Sequence, residues 1–179
     1  FGYQWRGNRF TTHQVNPVEL NLVQIPFMSD EFEEFLDGTY LFFAYQPHLI
    51  TTTNYVFTYN NQNIQKDRNF TYFRTSLESA GNLLYLFYES TGTDRTDGQY
   101  RLFNNSFSQY VRGDFDIRYY DFLDEANSLV YRFFAGAAYP YANSTAVPFE
   151  KQYFSGGSNG IRAWRVRDLG PGSFSQDRR

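Results

Sequence analysis

Apolar and polar side chains alternate with a period of two along several segments of the chain, which is the pattern of β-strands with one apolar and one wet face. The clearest segment is 107–120, where Val111, Phe115, Ile117 and Tyr119 alternate with charged side chains. The predicted strands lie near residues 10–25, 48–60, 68–80, 107–120 and 128–138. We also expect the end of a further strand at residues 1–6.

Charged side chains share one face of these predicted strands. Ionisable groups in that number cannot lie in a dry core without a large desolvation cost, whereas the opposite face needs apolar surroundings. A solvated strand face would explain the charges alone, but a charged face paired with an apolar one favours a water-filled lumen inside a lipid-facing sheet. The side chains predicted to face this lumen are Arg74, Glu78, Arg112, Asp114, Asp116, Arg118 and Arg132.

The connections between the predicted strands alternate in length. Residues 61–67 and 121–127 are short links, whereas 26–47, 81–106 and the stretch from 139 onward are long. Outer-membrane barrels have this alternation, with tight periplasmic turns and long external loops. The sequence therefore predicts an all-β fold, a partial transmembrane antiparallel β-barrel with about five central strands.

Two local features are also predicted. In the loop 26–47, Asp30 followed three residues later by Glu33 resembles a capping box, and the apolar residues that follow predict a short helix. Pro17 lies inside the first predicted strand, and since proline cannot donate to a strand ladder it predicts a bulge there. Both features refine the barrel prediction without changing it.

Composition narrows the function classes. The 179 residues are enough for one domain, and aromatic residues make up 21% of them. No apolar run approaches the roughly 20 residues of a membrane-spanning helix. Cysteine is absent, which excludes a disulfide framework and a thiolate metal site within the chain. The net charge of -3 gives no reason to expect nucleic acid, and the isolated His13 and His48 predict neither a metal site nor a cofactor.

Residues 156–160 match G-x-S-x-G, the nucleophile turn of α/β-hydrolases, with Ser158 at its centre. Such a serine needs a buried strand before it and a histidine after it. The residues before 156 do not read as a buried strand, and both histidines precede Ser158. A tight turn that uses glycine for positive φ is therefore the preferred interpretation, and a membrane-anchored esterase using Ser158 is a remote alternative.

The segment 154–172 resembles the lid loop of the BamA/TamA outer-membrane insertase superfamily, also called the bacterial surface antigen family. It is most similar to the TamA-like proteins of Bacteroidetes-type bacteria, and the stretch 132–153 is similar as well. After the arginine that matches Arg162, the family usually has glycine and then phenylalanine or tyrosine, where this chain has Ala163 and Trp164. The residues that carry the resemblance are Phe154, Gly156, Gly157, Ile161, Arg162, Ala163, Trp164, Gly170, Pro171 and Gly172.

The resemblance implies a lid loop at 139–172 that folds back into the lumen, where Arg162 contacts acidic and aromatic side chains. It also implies a sixteen-stranded barrel preceded by periplasmic repeat domains. Since five strands leave two unpaired edges, we expect this chain to be a fragment of one barrel domain, without those repeats and without the terminal strands.

The implied function is insertion, assembly or translocation of outer-membrane proteins at the bacterial outer membrane, without enzymatic activity or a cofactor. The expected partners are the lipid bilayer and lipopolysaccharide, client outer-membrane proteins, and periplasmic or lipoprotein accessory subunits, with no nucleic acid among them. A porin-like channel, in which the charged face sets selectivity, is the alternative.

Overall fold

The computed structural model describes residues 1–23, 48–63, 68–92, 98–102, 105–124, 126–158 and 160–167, together with residues 29, 31, 34 and 95. These residues are mostly β. The elements are β1 (Tyr3–Arg6), β2 (Thr11–Val23), β3 (His48–Asn60), β4 (Phe70–Ala80), α1 (Asn82–Thr91), β5 (Arg101–Leu102), β6 (Asn105–Ser106), β7 (Tyr110–Phe122), β8 (Ser128–Pro140) and a 3-10 turn (Phe149–Lys151).

The long strands form one antiparallel sheet in the order β1-β2-β3-β4-β7-β8, and β5 and β6 form a separate hairpin. This sheet confirms the predicted fold class, and β1 confirms the strand expected at the start of the chain. Within the described residues the sheet is open, because β1 and β8 each pair along one edge. β7 begins three residues later than position 107, since Phe107 instead forms an isolated bridge with Leu49.

The bulge predicted at Pro17 is present. The register between β2 and β3 shifts between Asn16 and Glu19, and the Thr53 hydroxyl donates to the Pro17 carbonyl at 2.8 Å. The shift reverses which residues of β2 face which side of the sheet. As a result Leu20 and Leu22 join the apolar side, where they are 68% and 52% exposed.

The cross-strand register separates the two faces of the sheet. Arg74 pairs with Asp116, and Ser76 pairs with Asp114 across β4 and β7. We call the side that carries these residues the polar face. The opposite side, the apolar face, exposes large apolar side chains, among them Leu77, Phe115, Ile117, Leu129, Tyr131 and Phe133. The predicted period-two alternation is therefore present in three neighbouring strands, β4, β7 and β8.

The short connections, which join β1 to β2, β3 to β4 and β7 to β8, leave the sheet at one edge, and the long connections leave it at the other, which we call the long-loop edge. The helix predicted in the loop 26–47 lies outside the described residues. No helix in the described ranges is long and apolar enough to cross a membrane.

The apolar stretch that follows β4 forms α1. This helix and the β5–β6 hairpin pack at the long-loop edge around three buried residues, Leu49, Tyr100 and Phe107.

Asn143 joins the segment after β8 to this packed edge. Its side chain is buried, and the amide nitrogen donates to the carbonyls of Tyr100 and Phe107 at 3.1 and 2.9 Å. The amide oxygen accepts the Tyr100 backbone N–H at 2.7 Å. Asn143 therefore satisfies three backbone groups at once, which fixes the start of the loop after β8.

We predict that Asn143→Ala exposes the Tyr100 amide to solvent exchange. The substitution leaves the three backbone groups without partners, at a cost of roughly 2–4 kcal/mol in local stability. Hydrogen exchange of residues 98–109, followed by mass spectrometry in the full-length protein, measures this change. Thr145→Ala is the control, because Thr145 is exposed in the same loop. Unchanged protection in Asn143→Ala would contradict the assignment.

Candidate functional site

The centre of the polar face is a pair of buried carboxylates on β7. Asp114 and Asp116 are 8% and 6% exposed. Arg118 binds Asp116 through two nitrogens, with Nε–Oδ1 and Nη2–Oδ2 distances of 3.0 and 2.8 Å, and Nη2 of Arg132 lies 2.8 Å from Oδ2. A buried carboxylate is stable only with such partners, and the planar guanidinium supplies two donors at once. Asp116 thereby links β7 to β8.

Asp114 has partners on a neighbouring strand and on a loop. Ser76 on β4 donates its hydroxyl to Oδ2 at 2.5 Å, and Nη1 of Arg74 lies 3.4 Å from Oδ1. The third partner is Tyr153, whose hydroxyl donates to Oδ2 at 2.9 Å. The segment after β8 therefore returns to the middle of the polar face.

The ring of Tyr153 fits into a depression at Gly136 on β8. A Cβ atom at residue 136 would lie 2.7 Å from the ring, so this position needs glycine. The Arg112 guanidinium lies 4.2 Å from the ring centroid and Phe134 meets the ring edge-on at 6.0 Å. Burial, together with the hydrogen bond to Asp114, raises the pKa of the Tyr153 phenol, which keeps it a donor.

Two further contacts hold the loop across the polar face. Lys151 Nζ lies 3.1 Å from Oε2 of the buried Glu78, and the Tyr110 hydroxyl donates to Oε1 at 2.6 Å. Nε2 of His48 lies 2.9 Å from Oε1 of Glu150. Val147 packs nearby against Ile50, Ala80 and Tyr110. We call residues 147–153 the anchor segment.

Beyond the anchor segment, residues 154–158 and 160–167 fold back on themselves as a compact turn. Gly157 N donates to Trp164 O at 2.9 Å, and Arg167 N donates to Ser155 O at 3.1 Å. Gly156 and Gly157 have φ of +95° and +84°, a backbone conformation that favours glycine. The Arg167 guanidinium lies 3.3 Å from the Phe149 ring centroid and ties this turn to the anchor segment.

The role predicted for Arg162 stays a prediction, and within the described residues other side chains contact the carboxylates of the polar face. Arg162 is exposed, and its Nε donates to the Ser158 carbonyl at 3.2 Å. No ion pair joins it to a carboxylate in the part of the chain that the structure describes. Tyr153 and Lys151 make the contacts with the acidic side chains instead. Most neighbours of Arg162 in the motif are exposed too, namely Phe154, Ile161, Ala163 and Trp164, while Gly170, Pro171 and Gly172 lie outside the described residues.

The side chains predicted to face a lumen share the polar face. Glu78 lies opposite Arg112 across β4 and β7, and Arg118 lies opposite Arg132 across β7 and β8. Arg74 lies on the same side, opposite Asp116. Sequence spacing placed these charges on one face of each strand separately. The register shows that they form one contiguous charged surface across β4, β7 and β8.

The anchor segment lies within the predicted lid loop 139–172, but the individual contacts of Lys151 and Tyr153 were not predicted from the sequence. The sequence did contain an indication of the Tyr153 contact, because Gly136 lies inside a predicted strand, and glycine at such a position often marks the close approach of another group. The run Glu150-Lys151 also offered charges to complement His48 and Glu78. The sequence alone does not show that residue 153, in the loop, lies against residue 136 on β8.

The geometry around Ser158 does not support the esterase alternative. Ser158 is an exposed turn residue. His48 contacts Glu150, and His13 Nδ1 lies 2.8 Å from the Tyr55 hydroxyl, so both imidazoles contact other side chains. Within the described ranges no group of acidic or histidine side chains has the arrangement of a metal site. The arrangement is suited to holding a loop against a charged wall.

We predict that Gly136→Val displaces the anchor segment, because the new side chain meets the Tyr153 ring. In a Tyr153→Ala background the same substitution should have little further effect, giving a coupling of roughly 1–3 kcal/mol between the two positions. The cleavage rate by a protease specific for the loop measures this, since it tracks the population of the open form. Additive effects would contradict the contact.

Comparison with known families identifies a family model that spans nearly the whole chain. The family model described as the Omp85 superfamily domain matches residues 1–178. No curated protein and no solved structure matches the chain significantly. The match spans the whole sheet and the loop that follows it.

Proposed function

This chain belongs to the Omp85 superfamily, and on that premise we propose that its sheet is part of an outer-membrane β-barrel that assists insertion, assembly or translocation of outer-membrane proteins. Members of the superfamily are insertases and transporters associated with the bacterial outer membrane. The finer assignment, a barrel with a loop folded into its lumen, rests on the residues of the two sheet faces.

The contrast between the two faces supports the barrel. Phe115 and Phe133 on the apolar face are 40% and 59% exposed and meet across β7 and β8 with ring centroids 5.7 Å apart. Such a surface suits lipid acyl chains, whereas the buried, paired carboxylates behind it suit a wet lumen. The free edges of β1 and β8 must pair with further strands in a membrane, because unpaired backbone groups are costly in lipid.

The loop after β8 supports a lid. The single observation that supports this proposal is the hydrogen bond from Tyr153 to Asp114, which holds the anchor segment against the polar face of the sheet. We propose that the full loop 139–172 narrows the lumen and that Arg162 and Trp164, which are exposed, contact barrel strands beyond this sheet.

In the mechanism that we propose, the central strands present here supply scaffold, lumen wall and lid. Edge strands at the barrel seam would pair with the strands of a client protein while the surrounding bilayer is perturbed. Client outer-membrane proteins and periplasmic or lipoprotein subunits are then the partners, and lipid and lipopolysaccharide surround the barrel. The chemistry is strand pairing, for which no catalytic residue is needed.

The charged polar face also favours a second candidate, a porin-like channel in which these side chains select solutes. The two candidates differ in what the loop does. A channel requires an open lumen in the resting protein, whereas an assembly barrel with a lid requires a lumen that the loop obstructs.

We predict that the full-length protein in planar bilayers shows no large steady conductance, and that Lys151→Met combined with Tyr153→Ala increases it by releasing the lid. Thr145→Ala is the control in the same loop. Depletion in cells should lower the amounts of other outer-membrane barrel proteins. A large solute-selective conductance of the unaltered protein, with normal barrel proteins after depletion, would favour the channel and contradict the assembly role.

A further inference from the structure

Helix α1 has two apolar sides, of which one is covered. Leu84, Tyr85 and Tyr88 pack against the buried residues of the long-loop edge. At 100° per residue, the opposite side of the helix carries Leu83, Leu86 and Phe87, which are 61%, 66% and 61% exposed. We call these three residues the outer stripe of α1.

The position of α1 connects this stripe with the apolar face. The helix begins directly after β4 at Gly81, whose φ is +72° and whose N–H donates to the Thr51 carbonyl at 2.8 Å. Its packed side contacts Leu49, which pairs with Leu22 on the apolar side of β3 and β2. α1 therefore adjoins the apolar face at the long-loop edge, and the outer stripe is the side of the helix that is turned away from Leu49.

Polar groups lie on a flank of the helix, away from both apolar sides. Glu89 accepts a hydrogen bond from the Tyr100 hydroxyl at 2.8 Å and one from Arg95 at 3.2 Å. The hydrogen bond from Tyr100 is the main reason that the pKa of Glu89 lies below its usual value. A helix with an apolar stripe and a charged flank is typical of an interface between lipid and water.

We propose that α1 lies in the external leaflet, with the outer stripe in contact with the lipid acyl chains and the Glu89–Arg95 flank in the headgroup region. The inference rests on the proposed function in one respect, the placement of the apolar face in lipid. The position of α1 beside that face identifies the occupant as lipid, because a partner protein on the stripe would have to displace bilayer that borders β3 and β4. The helix would then fix the depth of the barrel at its external rim.

The test uses single cysteines in the full-length protein, in a background without other cysteines. A polarity-sensitive fluorophore is attached at Leu86→Cys, at Phe133→Cys on the apolar face, or at Gln62→Cys in an exposed turn at the opposite edge. Each protein is reconstituted into phosphatidylcholine vesicles that carry spin-labelled lipids, with the spin label near the top or near the middle of the acyl chain. Fluorescence quenching then reports the depth of each position.

We expect the label at position 86 to be quenched by the spin-labelled lipids, more strongly by the shallow spin label than by the deep one, which corresponds to a depth of about 5–10 Å. The label at position 133 should be quenched and the label at position 62 should not. Quenching at 133 without quenching at 86 would overturn the proposal for α1 alone. A blue-shifted but unquenched label at 86 would identify protein as the cover and would also overturn it.

Absence of quenching at both 86 and 133 would instead remove the membrane placement of the sheet, and with it the proposed function. The same samples therefore separate failure of the helix inference from failure of the barrel assignment. Because Leu86 is exposed and makes no contact with the buried cluster, its replacement by cysteine should not prevent folding.

Discussion

The pairing of Asp114 and Asp116 with their neighbours is the constraint on which the rest of the structure depends. Two buried carboxylates on one strand need donors from both sides, and β4 and β8 supply arginine and serine in matching register. A slip by one residue would turn these carboxylates to the apolar side of the sheet, away from their donors. The ion pairs are therefore better understood as fixing register than as adding net stability.

Two further features keep the polar and apolar sides of the sheet distinct. The bulge at Pro17 reverses the alternation of β2, so that Leu20 and Leu22 stay on the apolar side although their parity differs from that of His13 and Val15. Gly136 opens a depression on the polar face that admits Tyr153, which completes the partners of Asp114. The polar face, the apolar face and the contact of the anchor segment with the polar face are thus consequences of one alternating pattern across several strands.

The fold could largely be predicted from the sequence because alternation is a local property. The bounds of β3 agree with the predicted 48–60, and Pro17 marked its bulge. The residues that hold the loop could not be identified in this way, since the contact of Tyr153 with Asp114 depends on register and on the path of a loop. Resemblance drew attention to Arg162, whereas the described contacts belong to Lys151 and Tyr153, a few residues earlier.

The central claim is that the two faces of the sheet meet different solvents, lipid on one side and water on the other. Spin labels placed one at a time along β7 of the full-length protein in lipid vesicles test it directly, by their accessibility to oxygen, which concentrates in lipid, and to a water-soluble nickel complex. The account predicts oxygen-accessible labels at 111, 115, 117 and 119 and low oxygen accessibility at 112 and 118. Equal accessibility at all positions, or the opposite phase, would contradict it.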